Sequence, residues 1–454
     1  MRIALLWLAL LSASCGDSAS NGPKPVEALP TAAQAGNGEY ISWHEHRIDD
    51  QAAAGGIELR GADGLATADF DADGFPDFVA AFEDSAHLRI AYGSDDPDTW
   101  FRLSLAEGAE AGGVEDADAA DLNGDGRADL IVACEKAHLL YLQNPASEHR
   151  GFRWKRLIPE ITTGRGSWIR ASFADLDGDG RPEVLGANKG QGGTLSWFSI
   201  DGDPLEQASW TEHVLAKVDT PINIQAADLD GDGDLDIFAG VRGEERILWF
   251  ENTTEPGGEL TFTEHPITVS QSKTTGFQVA FHDFSGDGRL DAVVALDGTG
   301  IGWLEQPASP EQPWTTHRIG DIAPDDITGI ALADLDRDGD PDVFTGSYSR
   351  GPRQEDHPEE IGVDDKLGRV TWFQNSGDPT GAWARHDILR RERGMYDAWV
   401  PIDLDGDGDL DFVGTRGNSG EYDGLMWLEQ RRSNNPVRRL EAIREKDSRA
   451  MPAP

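Results

Sequence analysis

The chain is short of cysteine, of basic residues and of long apolar runs, and each shortage closes off a class of protein. Of 454 residues only Cys15 and Cys134 are cysteine, too few for the disulfide framework that holds many exported domains together. Lysine and arginine number 39 against 83 aspartates and glutamates, a formal charge of −44. Nucleic acid and anionic membrane surfaces are bound through basic clusters, so neither is expected as a partner. Acidic chains are often disordered. Here 38% of residues are apolar, with 14 Trp and 17 Phe, enough for a large core. Helical periodicity is scarce between residues 40 and 430, and 53 Gly with 24 Pro point to turns and β-structure.

The amino terminus reads MRIALLWLALLSASC: Arg2, nine apolar residues from Ile3 to Leu11, then small residues up to Cys15. Nine residues cannot cross a bilayer as a helix, which takes roughly 20, but they suit a signal-peptide core. Residues 1–15 resemble a bacterial lipoprotein signal with Cys15 as the lipidated residue, although Ser12 stands where such signals prefer Leu. The resemblance implies a chain exported and lipid-anchored at the bacterial cell envelope, with the membrane met only through that anchor. An ordinary signal peptide cleaved near Ser14, and secretion, is the alternative. Residues 16–38, rich in Ser, Gly, Ala and Pro, read as a flexible linker. Residues 432–454 are basic and read as a disordered tail.

Between them, D-x-[D/N/S]-x-D-G-x-x-[D/E] occurs seven times, from Asp69, Asp121, Asp175, Asp228, Asp283, Asp334 and Asp403. The start-to-start spacings are 52, 54, 53, 55, 51 and 69 residues, the last lengthened by an insertion at Ser347–Gly368. A strand-like run follows each loop (FVAAF, LIVAC, VLGA, IFAG, AVVAL, VFTG, FVG). In most repeats an aromatic strand such as ILWFEN comes next, then W-x-x-H-x-[I/L]. Four short strands per repeat, seven times over, predict an all-β fold: a seven-bladed β-propeller of four-stranded blades over residues 39–431. The W-x-x-H strand appears at Trp43 before the first loop and is missing after the last. The amino-terminal strand is therefore expected to complete the seventh blade, removing the edges of an open array. A monomer is expected.

In each loop, oxygens at positions 1, 3, 5 and 9 and the carbonyl of position 7 can surround one cation, with Gly at position 6 allowing the turn. The candidate ligands are Asp69, Asp71, Asp73 and Asp77; Asp121, Asn123, Asp125 and Asp129; Asp175, Asp177, Asp179 and Glu183; Asp228, Asp230, Asp232 and Asp236; Asp283, Ser285, Asp287 and Asp291; Asp334, Asp336, Asp338 and Asp342; and Asp403, Asp405, Asp407 and Asp411. Hard oxygen donors without Cys or His favour Ca²⁺, up to seven ions, with affinities of roughly 10⁻⁴–10⁻³ M. Asn123 and Ser285 should weaken the second and fifth loops. An EF-hand is excluded, because position 12 is Ala80, Val132, Gly186, Ala239, Val294, Thr345 or Gly414 and never Glu.

These loops and strands resemble FG-GAP/VCBS repeats, related to the amino-terminal propeller of integrin α subunits, over about residues 40–430. The resemblance implies that each loop joins the first and second strands of a blade and holds structural Ca²⁺. The integrin Phe-Gly and Gly-Pro signatures are absent, as are any leg or inserted domain, so integrin-type adhesion does not transfer whole.

Antiparallel blades place the second-to-third and blade-to-blade connections on the face opposite the metal loops, where propellers commonly bind ligands. Candidate ligand-binding residues there are Trp168, Arg170, Lys189, Arg242, Asp297, Tyr348, Tyr396, Trp399 and Arg416; they could equally cap the channel or fill gaps between blades. Aromatics beside Arg and Asp suit a glycan, and a protein ligand is the other expectation. Five histidines, His46, His213, His265, His317 and His386, share one repeat slot and read as structural. His282 or His357 could act as a base with Tyr348 or Tyr396 as acid. The alternative to a binding or adhesion module is thus a carbohydrate-active enzyme, of polysaccharide lyase or sugar dehydratase type, whose catalytic residues the sequence does not single out.

Overall fold

The computed structural model describes residues 23–145, 150–190, 192–255, 257–309, 312–349, 361–444 and 448–454. Cys15 with its apolar run, and His357 with half of the insertion, lie outside them. Six sheets have four antiparallel strands in sequence order, the first being Ala62–Ala68, Asp77–Phe82, His87–Tyr92 and Phe101–Glu107. The seventh orders Trp399–Ile402, Asp411–Arg416, Gly424–Ser433 and then Tyr40–Asp50 from the amino-terminal end. The chain is a seven-bladed β-propeller closed by its first strand. Trp43 pairs with Gln430 and His46 with Trp427 across the seam.

The second strand of a blade is apolar on both faces because blades pack on either side of it. Asp77–Phe82, Asp129–Cys134, Asp236–Val241 and Asp411–Arg416 are buried at every position. Continuous apolar runs, rather than alternation, are the signature of such strands. The core is divided into clusters that each join two neighbouring blades. One joins Phe344 and Trp372 of blade six to Phe412 and Met426 of blade seven. Another joins Val413 and Trp427 of blade seven to Phe78 and Trp100 of blade one.

The described parts of both chain ends, residues 23–38, 432–444 and 448–454, differ from the flexible linker and disordered tail expected of residues 16–38 and 432–454. Val26 and Leu440 are fully buried. Leu440–Glu441 pairs in parallel with Trp43–His44, and Ala450 bridges to Arg391. The Val26 N–H bonds the Met451 carbonyl at 3.0 Å, and the Met451 N–H bonds that of Arg390 at 2.8 Å. The physical reason is edge cover, since the outermost strands of blades six and seven present unpaired backbone that these segments satisfy. Charge adds to it: Arg432 pairs with Asp409 at 3.1 Å and Arg449 with Glu392 at 2.9 Å. Beneath the ends lies a buried ionic network. Arg390 donates to Asp325 at 2.8 and 2.9 Å and to the Pro452 carbonyl at 3.0 Å. Arg391 pairs with Glu27 at 3.1 Å and with Glu45 at 2.8 Å.

Candidate functional site

Each acidic loop connects the first and second strands of its blade and is folded by its own carboxylates. The position 7 N–H bonds the position 5 carboxylate in all seven loops. The position 6 N–H bonds the position 1 carboxylate in six. Position 6 glycines have φ between 84° and 101°, as the turn requires. Position 4 is left-handed too, which the motif alone did not reveal: five are glycine, and Ala72 (φ 55°) and Arg337 (φ 61°) adopt the same conformation. The clue was the glycine shared by Gly124, Gly178, Gly231, Gly286 and Gly406.

Position 9 has work of its own. Asp77 accepts the Phe70 N–H at 2.8 Å through one oxygen and the Gly93 N–H at 2.8 Å through the other. Asp236, Asp291, Asp342 and Asp411 likewise each accept the position 2 N–H and one from the third strand (Asn252, Gln430) or the residue just after it (Gln306, Asn375). Asp129 instead takes the Tyr141 hydroxyl and the Asn144 N–H. Burial, against these hydrogen bonds and with the loop's other acids adding to it, pushes Asp77, Glu183, Asp236 and Asp411 up to about 7 and Asp342 up to about 8.

Donor atoms of Asp69, Asp71 and Asp77 converge within 4.8 Å, as do those of Asp175, Asp177 and Glu183, and of Asp228, Asp230 and Asp232. An all-oxygen set with buried carboxylates strained by their own charge fits a hard divalent cation. In the first loop an internal cation is already present: the Arg150 guanidinium pairs with both Asp71 and Asp73.

On the opposite face a cavity of about 810 Å³ opens at the mouth of the central channel. The slot six residues beyond position 9 supplies Glu83, Glu135, Lys189, Arg242, Asp297 and Tyr348 to its wall. Blade-to-blade connections add Phe277 and Asp397, and the starts of first strands add Asp63 and Asp326. The lining holds seven carboxylates (Asp63, Glu83, Glu115, Glu135, Asp297, Asp326, Asp397) and three cations (Lys189, Arg242, Lys366). Two of those cations are already engaged, Lys189 by Glu135 and Lys366 by Asp326. Phe277 lies between two guanidiniums, with Arg170 at 5.1 Å and Arg242 at 5.5 Å from its ring. Arg170 also pairs with Asp116 at 3.4 Å. Glu115 is pushed up to about 8 by burial and by the neighbouring charges of Glu135 and Glu83.

Four residues expected on this face are instead packed inside. Trp168 and Tyr396 are fully buried and Trp399 is 7% exposed. Trp168 lies against Gly186, and Trp399 against Gly414 and Gly346, where an added Cβ would meet the indole within 3.0 Å. Position 12 of the repeat is Ala, Val or Thr except at Gly186 and Gly414, so these tryptophans fill volume the glycines leave. That substitution was the available signal. Tyr396 crosses Gly346, its carbonyl 1.9 Å from where a Cβ would stand. Arg416, 2% exposed, bonds Ser419 at 3.1 Å and lies 3.9 Å from Glu45.

The repeated histidines lie on the tryptophan of the preceding strand: His213 on Trp197 at 3.8 Å, His317 on Trp303 at 4.0 Å and His46 on Trp427 at 4.1 Å. His265 and His386 are tilted over Trp249 and Trp372. His282 pairs opposite Asp291 at the acidic-loop end of its blade, whereas Tyr348 pairs opposite Asp326 at the other end. They cannot form an acid–base pair.

The FG-GAP-like repeat profile matches residues 60–132, 175–239, 228–294 and 283–345, together more than half of the chain. No curated protein matches it. Among solved structures, YCF48 from Cyanidioschyzon merolae is 10% identical with a TM-score of 0.49, covering 85% of this chain and 98% of that one. The Cps50 (Swd1) β-propeller domain of Myceliophteria thermophila is 9% identical with a TM-score of 0.47, covering 85% and 98%. BBS1N, solved in complex with ARL6DN, is 12% identical with a TM-score of 0.44, covering 83% and 92%.

Proposed function

Because the chain belongs to the FG-GAP-like repeat family, we propose that it is an exported, calcium-stabilised binding module whose ligand is a protein segment carrying positive charge. The observation that carries this reading is the channel mouth, where seven acidic side chains, all but Glu115 carboxylates near neutral pH, face three cations in one concave site. Such a wall attracts a lysine or arginine side chain, or a chain amine, and repels polyanions. Sugar recognition leans on exposed aromatic faces. Trp168, Tyr396 and Trp399 are packed away, and the aromatics left in the lining are the half-buried Tyr348 and Phe277, the latter with Arg170 and Arg242 against its ring. A protein ligand therefore fits better than a glycan. Calcium belongs to the same reading as scaffold. Of the 83 acids, 26 stand at loop ligand positions, and seven Ca²⁺ would bring the charge from −44 to about −30.

The test is calorimetric titration of the calcium-loaded protein with a tetralysine peptide, a neutral peptide of equal length, and a neutral and a uronate oligosaccharide. Tetralysine should bind, more weakly as salt rises, and a Glu83→Gln, Asp297→Asn double variant should bind it less. Saccharide binding that the double variant leaves intact, with no response to tetralysine, would refute the proposal.

A further inference from the structure

Blade seven carries donors that the other blades lack. In the W-x-x-H strand, the residue after the aromatic is Thr211, Thr263, Thr315 or Ala384 in four blades, but His44 in the strand that closes the ring. His44 sits directly opposite Glu429 across the seam, and His46 opposite Trp427. The two imidazole rings are 4.2 Å apart. Nδ1 of His44 lies 3.3 Å from Oε2 of Glu429, and Nε2 of His46 lies 2.8 Å from the same oxygen.

His46 also differs in its hydrogen bonds. Among the described members of this slot, His265 and His317 each meet one carboxylate, Glu251 at 2.6 Å and Glu305 at 2.7 Å. His213 meets Ser199, and His386 meets Gln374. One N–H serves each of them. His46 faces two carboxylates, Asp98 at Nδ1 (2.8 Å) and Glu429 at Nε2 (2.8 Å). Carboxylates only accept, and a neutral imidazole has a single N–H. With Asp98 taking the Nδ1 proton, the Nε2 nitrogen meets Glu429 either by carrying a second proton or by giving its lone pair to a shared cation. Arg431 already supplies one nearby. Its guanidinium bonds Glu429 at 2.8 Å and donates to Nδ1 of His44, so that nitrogen also turns a lone pair toward the pocket.

We propose that His44, His46 and Glu429 form a zinc site stapling the ring-closing strand Tyr40–Asp50 to Gly424–Ser433, with Arg431 covering it in the metal-free state. Two imidazole nitrogens and one carboxylate oxygen, with a water as the fourth ligand once Arg431 swings away, make a tetrahedral Zn²⁺ donor set. The Asp98 carboxylate behind His46 holds the ligating tautomer, as outer-shell carboxylates do for metal-bound histidine. The oxygen-only loops do not compete, because imidazole donors select borderline metals over Ca²⁺.

The experiment measures zinc affinity of the full chain in excess calcium, by competition with a chromogenic chelator. Co²⁺ serves as a spectroscopic probe of tetrahedral geometry. One zinc per chain is expected, with a rise in melting temperature. His44→Ala should weaken binding at least tenfold and abolish that rise, while melting like the parent without zinc, since other blades carry Thr or Ala in its place. Asp98→Asn should weaken binding about 10–100-fold. Arg431→Ala, which removes the competing cation, should tighten it, and His317→Ala should leave it unchanged. Absence of stoichiometric zinc uptake, or a His44→Ala chain that binds like the parent, overturns the proposal.

Discussion

Removing calcium should make stability fall as pH rises, and the size of the effect follows from the position 9 acids. Asp77 is fully buried and titrates near 7 in the metal-free fold instead of 3.8. Its folded-state value is raised, so the contribution is favourable below about pH 4 and is lost as pH climbs through 7. Three units correspond to about 4 kcal/mol by pH 8. Glu183, Asp236 and Asp411 are raised to about 7, and Asp342 to about 8. Costs of that size in five loops together exceed the about 5–15 kcal/mol that holds a typical domain folded. The metal-free ring at pH 8 must therefore keep several of these carboxyls protonated or open. A bound Ca²⁺ reverses the penalty, adding about 2.7 kcal/mol per loop at a hundredfold excess over Kd. Scanning calorimetry of chelator-treated protein at pH 5 and pH 8, with and without calcium, reads this directly. Melting should be lower at pH 8 in chelator, and calcium should raise it more at pH 8 than at pH 5. A chelated protein equally stable at both pH values, or an identical calcium shift at both, refutes the reasoning.

Other perturbations are simpler. Asp325→Asn leaves the buried Arg369 and Arg390 without their shared carboxylate, and should cost about 3–5 kcal/mol in urea titration. Gly346→Ala places a Cβ 1.9 Å from the Tyr396 carbonyl oxygen and should lose about 3 kcal/mol or more by the same measurement. Arg150→Ala frees Asp71 and Asp73, so the first loop should bind calcium more tightly by titration calorimetry. Because Glu115 is held near 8, tetralysine should bind more strongly at pH 8.5 than at pH 6.5 and release protons on binding, seen as a buffer-dependent heat.

The blades and the closing strand could be read from the sequence because they repeat: a loop of fixed spacing, a doubly buried run and an aromatic strand recur with one phase. The wall of the channel mouth followed from the same phase, since one slot contributes Glu83, Glu135, Lys189, Arg242, Asp297 and Tyr348. Where the repeat was broken, the sequence misled. Trp168 and Trp399 stand outside the repeated aromatic slots and so looked free for a ligand, but Gly186 and Gly414 had vacated the volume they fill. The basic tail lacks periodicity and looked disordered. It is held by sheet edges and acids hundreds of residues away, such as Asp50 beneath Arg444, which no local window contains.

Closure by the first strand also sets an order of events in time. His46 and Glu429, which meet across the seam, are 383 residues apart in the chain. Contacts that distant form late, because the loop between them must be closed before they contribute. Six blades can zip up from neighbouring strands as they emerge. The seventh waits for almost the whole polypeptide, and until then two bare sheet edges stay open to mispairing with other chains. Joining is thus the committed step of folding, and the same junction is where a protease should first find the ring unlatched.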